Sequence, residues 1–187
     1  GTATGTNDFY NLILNNTLLN LASNIEIDNA GKLIFEQGVL NASNNYIRVK
    51  NTLIGSIVGA GSNGALNKLI IGELRRDIVA GSTYEFAVGD AYIDAGGGDG
   101  VQYASLKSNN GNGVVSVIFH DSTGIGVTSG IVICPSGTGG HQDVEYRIRN
   151  GAWVITNPGG GISDYDVTLN PIDYTDNRYI DYTILKD

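Results

Sequence analysis

Residues 10–29, YNLILNNTLLNLASNIEIDN, and residues 31–51, GKLIFEQGVLNASNNYIRVKN, are one pattern written twice. Leu12 falls on Leu33, Ile13 on Ile34, Leu14 on Phe35, Leu19 on Leu40 and Asn20 on Asn41, each 21 residues apart. After one extra residue in the second copy, Ile25 falls on Ile47, Ile27 on Val49 and Asn29 on Asn51, 22 apart. A repeat of this length, with alternating apolar positions and Asn or Gly at its corners, predicts stacked β-coils. Each copy gives short strands whose alternate side chains turn inward, Leu12 with Leu14 and Ile25 with Ile27. One coil cannot bury that inner face alone. Two copies therefore need cover from the rest of the chain or from another chain.

Outward from the repeat, the fold class reads as all-β. β-solenoid-like coils at the N-terminus are packed on, or followed by, an antiparallel β-sandwich. The expected division is a coil region over 1–54, a Gly/Ser/Asn-rich connection over 55–67 and a sandwich over 68–187. Strands are predicted at 9–14, 17–21, 24–28, 32–36, 39–42 and 46–50. Further strands are predicted at 68–71, 74–78, 84–88, 101–107, 113–120, 130–134, 144–149, 152–156, 165–169 and 180–185. Asn150-Gly151 is a hairpin signal between two of them. No helical periodicity of useful length occurs.

The chain has 187 residues, 27 of them Gly, and a net charge of −8 with only 16% charged residues. It is apolar enough to hold a core. Its longest basic run is Arg75-Arg76, so it lacks the positive footprint of a nucleic-acid partner. No apolar run is long enough to span a membrane. The single cysteine, Cys134, excludes an internal disulfide and reads as a buried strand thiol. Residues 1–8 read as a lead-in or an exchanged strand rather than a signal peptide. A low-charge, acidic surface rich in Asn, Thr and Gly suits an extracellular setting.

Two passages carry a resemblance. One is the repeat, with Phe9-Tyr10-Asn11-Leu12 and Gly31-Lys32-Leu33. The other is Gly72-Glu73-Leu74-Arg75-Arg76 with Tyr84-Glu85-Phe86-Ala87-Val88-Gly89, followed by Ala152-Trp153-Val154-Ile155-Thr156 and Asp166-Val167-Thr168-Leu169. Together they resemble the large secreted and cell-surface proteins that Bacteroidota export through the type IX secretion system. Ala87 stands where that pattern usually has Pro. The resemblance implies adhesins, gliding-associated surface proteins and extracellular fibres. It implies no catalytic residue.

Candidate chemistry is sparse. Gly59-Ala60-Gly61-Ser62-Asn63-Gly64 fits G-x-G-x-x-G, but a strand-like segment follows where a phosphate site needs a helix start. His120, Asp121 and Ser122 are neighbours, and adjacent strand residues face opposite ways, so they form no local triad. His141 reads as a loop residue, and two histidines with one cysteine lack zinc-ligand spacing. The Asp-rich turns are better candidates. Asp90, Asp94 and Asp99 lie among glycines and would take calcium, although Asp in turns ordinarily caps its own backbone. Asp164, Asp166, Asp173 and Asp176 form a second cluster. No cofactor other than calcium is expected.

Asp121-Ser122-Thr123 resembles an O-glycosylation acceptor of the same bacteria, with Ser122 modified. Asn15-Asn16-Thr17 and Asn41-Ala42-Ser43 fit N-glycosylation, but serve the repeat better as corners. Arg75 and Arg76 point to opposite faces of a strand. The inward one needs a partner, for which Glu73, Glu85 and Asp90 are candidates.

The leading expectation is a non-enzymatic extracellular protein, an adhesin segment or a fibre subunit. It would associate with itself into a homopolymer or continue in a longer chain. Residues 1–14, with Phe9, Leu12 and Leu14 at the contact, are expected to join subunits. The alternative is a carbohydrate-binding module, with surface glycans stacked on some of Tyr103, Trp153, Tyr165, Tyr174, Tyr179 and Tyr182.

Overall fold

An extended chain whose every second residue is apolar lowers its free energy by coiling, so that each turn covers the inner face of the last. The computed structural model, which describes residues 2–3, 8–61, 68–89, 102–120 and 152–170, is a β-solenoid of about four turns. It is nearly all β, and its one helical piece among the described residues is the 3-10 turn Ile54–Ser56. Strand β1 is Thr2–Ala3, β2 is Asp8–Leu21, β3 is Ile25–Val49, β4 is Ile57–Val58 and β5 is Ile70–Ile78. All of these pair in parallel.

The register is the one the repeat predicts. Leu12 pairs with Leu33, Ile13 with Ile34, Leu14 with Phe35, Leu19 with Leu40 and Asn20 with Asn41. Shifts after Phe9, Leu14 and Asn15 mark corners, and the stack has three walls. The first wall sets Phe9 on Ile27, and Val49 on Arg76. The Lys50 amide donates to the Ile27 carbonyl at 3.0 Å, which places Val49 on Ile27. The second wall stacks Leu12, Leu33 and Ile57. The third stacks Leu19, Leu40 and Ile70.

Asparagines close the corners, because a short amide can satisfy backbone groups that leave the ladder. Asn11 Oδ1 accepts from the Lys32 amide at 2.8 Å. Asn24 Oδ1 accepts from the Tyr46 amide at 3.1 Å. Asn41 Nδ2 donates to Asn20 Oδ1 at 3.0 Å, while Asn41 Oδ1 takes the Ser43 amide. Asn16 Oδ1 takes the Thr17 amide at 2.7 Å. These bonds support the corner reading of both Asn-x-Ser/Thr motifs. At the Gly38 corner φ is +90°, and a Cβ would lie 1.6 Å from the Asn16 carbonyl oxygen. Only glycine fits there.

Within the 55–67 segment, expected as a connection, the described strand β4 adds to the third coil. Ile57 and Val58 lie on Leu33 and Ile34. A two-residue strand among glycines gives too little alternation to be read from sequence.

Beyond the coils the stack changes mode. Strand β6 is Thr83–Gly89, β7 is Gln102–Ser108, β8 is Gly113–His120, β9 is Ala152–Thr156 and β10 is Tyr165–Asn170. Strand β5 divides its free edge at Gly72, where φ is +95°. Ile70 and Ile71 pair in parallel with β6, and residues 74–78 pair antiparallel with β8. The third wall thus continues as β6, β7 and β10, and the first wall as β8 and β9. The two antiparallel extensions share one core with the coils. It includes Leu14, Ile27, Leu33, Leu40, Ile47 and Leu74, then Tyr84, Phe86, Val117 and Phe119. The predicted strands 130–134, 144–149 and 180–185, Cys134 and the Asn150-Gly151 turn lie outside the described residues.

Candidate functional site: the open first coil

The two ends of the stack are built differently. At the far end, the inward column that runs Phe9, Ile27, Val49 continues into Arg76. Arg76 is 1% exposed. Its guanidinium donates to the carbonyls of Glu85 at 2.9 Å and Ile54 at 3.0 Å, and to Ser56 Oγ at 3.0 Å. A longer bond reaches the Leu53 carbonyl at 3.3 Å, and the group lies 5.0 Å from the Tyr84 ring centroid. Burial pushes its pKa down to about 10, against the opposing influence of Tyr84 and Glu85, so it keeps its charge at neutral pH.

Arg76 is therefore inward, as the alternation requires. Its partners among the described residues are backbone carbonyls and a hydroxyl, where a carboxylate was expected. Glu73 belongs to the outward neighbour, with Arg75 Nε donating to Glu73 Oε1 at 2.6 Å. Asp90 lies outside the described residues. Planar guanidinium donors suit carbonyls of a turn that has left the ladder.

At the near end no such device occurs among the described residues. Strand β1 pairs with the first coil at Asn20 and Leu21. Residues 8–19 of β2 have one edge on β3, and among the described residues no strand pairs with the other. The inward Phe9, Leu12 and Leu19 are only half-buried. Their equivalents one coil on, Ile27, Leu33 and Leu40, are each 0% exposed. Leu14 is already buried, at 2%. Phe9, Leu12 and Leu14, expected at a subunit contact, thus point into the core. Among the described residues, the other backbone edge of their strand has no partner strand, and Phe9 and Leu12 keep partial exposure.

The outer side of the first wall carries charge that ties coil to coil. Lys50 bridges Asp8 and Glu26, and Arg48 Nε donates to Asp77 Oδ1 at 2.8 Å. Hydrogen bonds from Lys50 to Glu26 and Asp8 raise its pKa. Burial pushes the Glu73 carboxyl up, but bonds from Arg75 and Ser116 and the charge on Arg75 outweigh it. Glu73 therefore titrates below its ordinary value.

The remaining candidates separate. Asp90, Asp94, Asp99, Ser122, Asp121, His141, Asp173 and Asp176 lie outside the described residues. Among the described residues no group of three or more His, Cys, Asp or Glu could hold a metal ion. His120 is exposed at the end of β8. Gly59 and Gly61 of the G-x-G-x-x-G stretch adopt φ of +76° and +56°, the Gly61 amide donates to the Lys68 carbonyl, and strand β5 follows. Among the described residues no helix starts after that loop.

Trp153 packs edge-on against Phe119, with ring centroids 5.1 Å apart, as a cross-strand pair. Tyr103 donates to the Ala60 carbonyl at 3.4 Å. Tyr165 is half-buried against the core. Trp153 and the two tyrosines stand on different antiparallel extensions. Tyr174, Tyr179 and Tyr182 lie outside the described residues.

No helix among the described residues is long and apolar enough to cross a membrane. Comparison of the chain with family models, curated proteins and solved structures returned no match.

Proposed function

We propose that this chain is a non-enzymatic structural protein of the cell exterior, a segment of a surface adhesin or a subunit of a fibre that grows by pairing of strand edges. The observation that carries the reading is the first coil. Its inward Phe9, Leu12 and Leu19 keep partial exposure, whereas the same column in the second coil is sealed. Its strand has an edge with no partner strand among the described residues over 8–19. A parallel strand laid on that edge completes both the backbone ladder and the apolar cover. The strand laid there comes from an unlike part of a second copy, and such heterologous contacts do not close on themselves and give filaments. The exterior setting rests on the acidic, low-charge composition and on the resemblance of the repeat to secreted Bacteroidota proteins.

Electron microscopy of the purified chain at rising concentration tests the reading. Filaments are expected from the natural sequence. The variant Leu12→Lys, which places a charge on the inner face at the open end, is expected to stay dispersed while keeping its β circular dichroism. A natural chain that stays dispersed at every concentration contradicts the fibre.

A further inference from the structure

The three walls differ on their outer sides. The first carries the ion pairs around Lys50 and Arg48. The third is covered where Ala60 packs on Val39 and Leu69. The second carries an apolar column, Ile13 on Ile34 on Val58, in register across three coils. Ile13 is 55% and Val58 40% exposed. Tyr10, Leu53 and Ile54, at the corner that leads into this wall, are more exposed still. Five of the six large exposed hydrophobics among the described residues therefore gather on one wall and its leading corner. Apolar side chains clustered this way mark a contact surface.

The middle rung says which partner fits. Alternation puts Lys32, Ile34 and Glu36 on the same outer side, with the two charges about 7 Å to either side of Ile34. Lys32 and Glu36 are both exposed. Neither side chain is bonded to another described residue. Glu36 sits where the register with β2 shifts, between the Leu14 and Asn15 pairs.

We infer that the second wall is a self-complementary face on which a second copy of this chain docks, about a two-fold axis parallel to the solenoid axis. That axis sets facing strands antiparallel. Lys32 of one copy then meets Glu36 of the other, twice, and the apolar columns meet rung for rung. A two-fold axis along the strands would instead set Lys32 against Lys32. Isologous contacts of this kind are the commonest in homo-oligomers. Such a contact gains strength when it repeats along a stack. Both open first coils face the same way in such a pair. Two strands of equal polarity can therefore grow together, a consequence that rests on the fibre reading, whereas the pair itself does not.

The test is sedimentation equilibrium of the full chain, with electron microscopy of the same samples. Lys32→Glu or Glu36→Lys alone sets like charges together at both contacts and should weaken association roughly tenfold. The double variant Lys32→Glu with Glu36→Lys restores opposite charges and should return association to within about twofold of the natural chain. Single variants that associate like the natural chain, or a double variant no better than the singles, overturn the inference. Reversible pairs that follow the charge pattern without filaments sustain this inference and sink the fibre reading. Filaments whose width and bundling ignore all three variants do the reverse. Dispersed monomers at every concentration sink both.

Discussion

Among the described residues, the first coil and the third coil carry the same column of inward positions and border it differently. In the third coil the column meets Arg76, whose donors hold the turn at 53–56 and the start of β6, and antiparallel strands close the stack. In the first coil the column meets Phe9, half-buried, beside an edge on which no described strand pairs. A β-solenoid does not stop by itself, because every rung is a template for the next. Stopping needs a change of pairing mode, and this chain makes that change at one end of its described stack.

The largest expected effect breaks the closed end. Arg76→Ala removes the donors to the Glu85, Ile54 and Leu53 carbonyls and opens a cavity among buried side chains. It should lower unfolding stability by about 3–5 kcal/mol in urea titration. Arg76→Met, similar in volume but without donors, should recover only part of that loss, since the carbonyls stay unsatisfied.

The next pair sharpens the contrast between sealed and open coils. Leu33→Ala, at a position 0% exposed, should cost about 2–5 kcal/mol. Leu12→Ala, its partner in the first coil, should cost less than about half as much in the dispersed protein, because part of its surface is already in water. If edge pairing covers Leu12, the gap between the two variants should narrow in assembled material. Equal costs in the dispersed chain would remove the distinction between the coils.

A smaller effect probes the corner asparagines. Asn41→Ala loses the bond to Asn20 Oδ1 and the bond from the Ser43 amide, and should cost about 1 kcal/mol by thermal unfolding.

The smallest is pH dependence. Glu73 titrates below its ordinary value, so its contribution is full above the unfolded carboxylate pKa and is lost as pH falls through the folded value. Lys50 titrates above its ordinary value, so its contribution is full below the unfolded value and is lost as pH rises through the folded one. Glu73→Gln should therefore flatten the acid limb of a stability profile and leave the alkaline limb unchanged.

Much of the near end was legible in the sequence, and the reason is physical. Stacked coils put equivalent residues on top of one another, so an offset of 21 between Leu12 and Leu33 is itself the register. Strands 113–120 and 152–156 were likewise readable from alternation. The pairing of the strands beyond the coils was not. Nothing in the residues of β5 says that Ile70 and Leu74 take different neighbours, because the division depends on a backbone bend at Gly72. The partners of Arg76 were hidden for a similar reason, since backbone carbonyls carry no side-chain signature. The outer row Lys32, Ile34, Glu36 was present in the repeat, yet it became a surface only when Ile13 and Val58 lined up on either side.

Amide hydrogen exchange over residues 8–19 at low and high protein concentration tests the open edge most directly. In dispersed protein, the amides there that are not bonded to the second coil should exchange fast, and those of residues 32–40 slowly. At concentrations where assembly occurs, the first-coil amides should become protected while the second-coil amides change little. Protection of residues 8–19 that is already complete in dilute protein, or that never rises with concentration, would contradict an edge waiting for a partner.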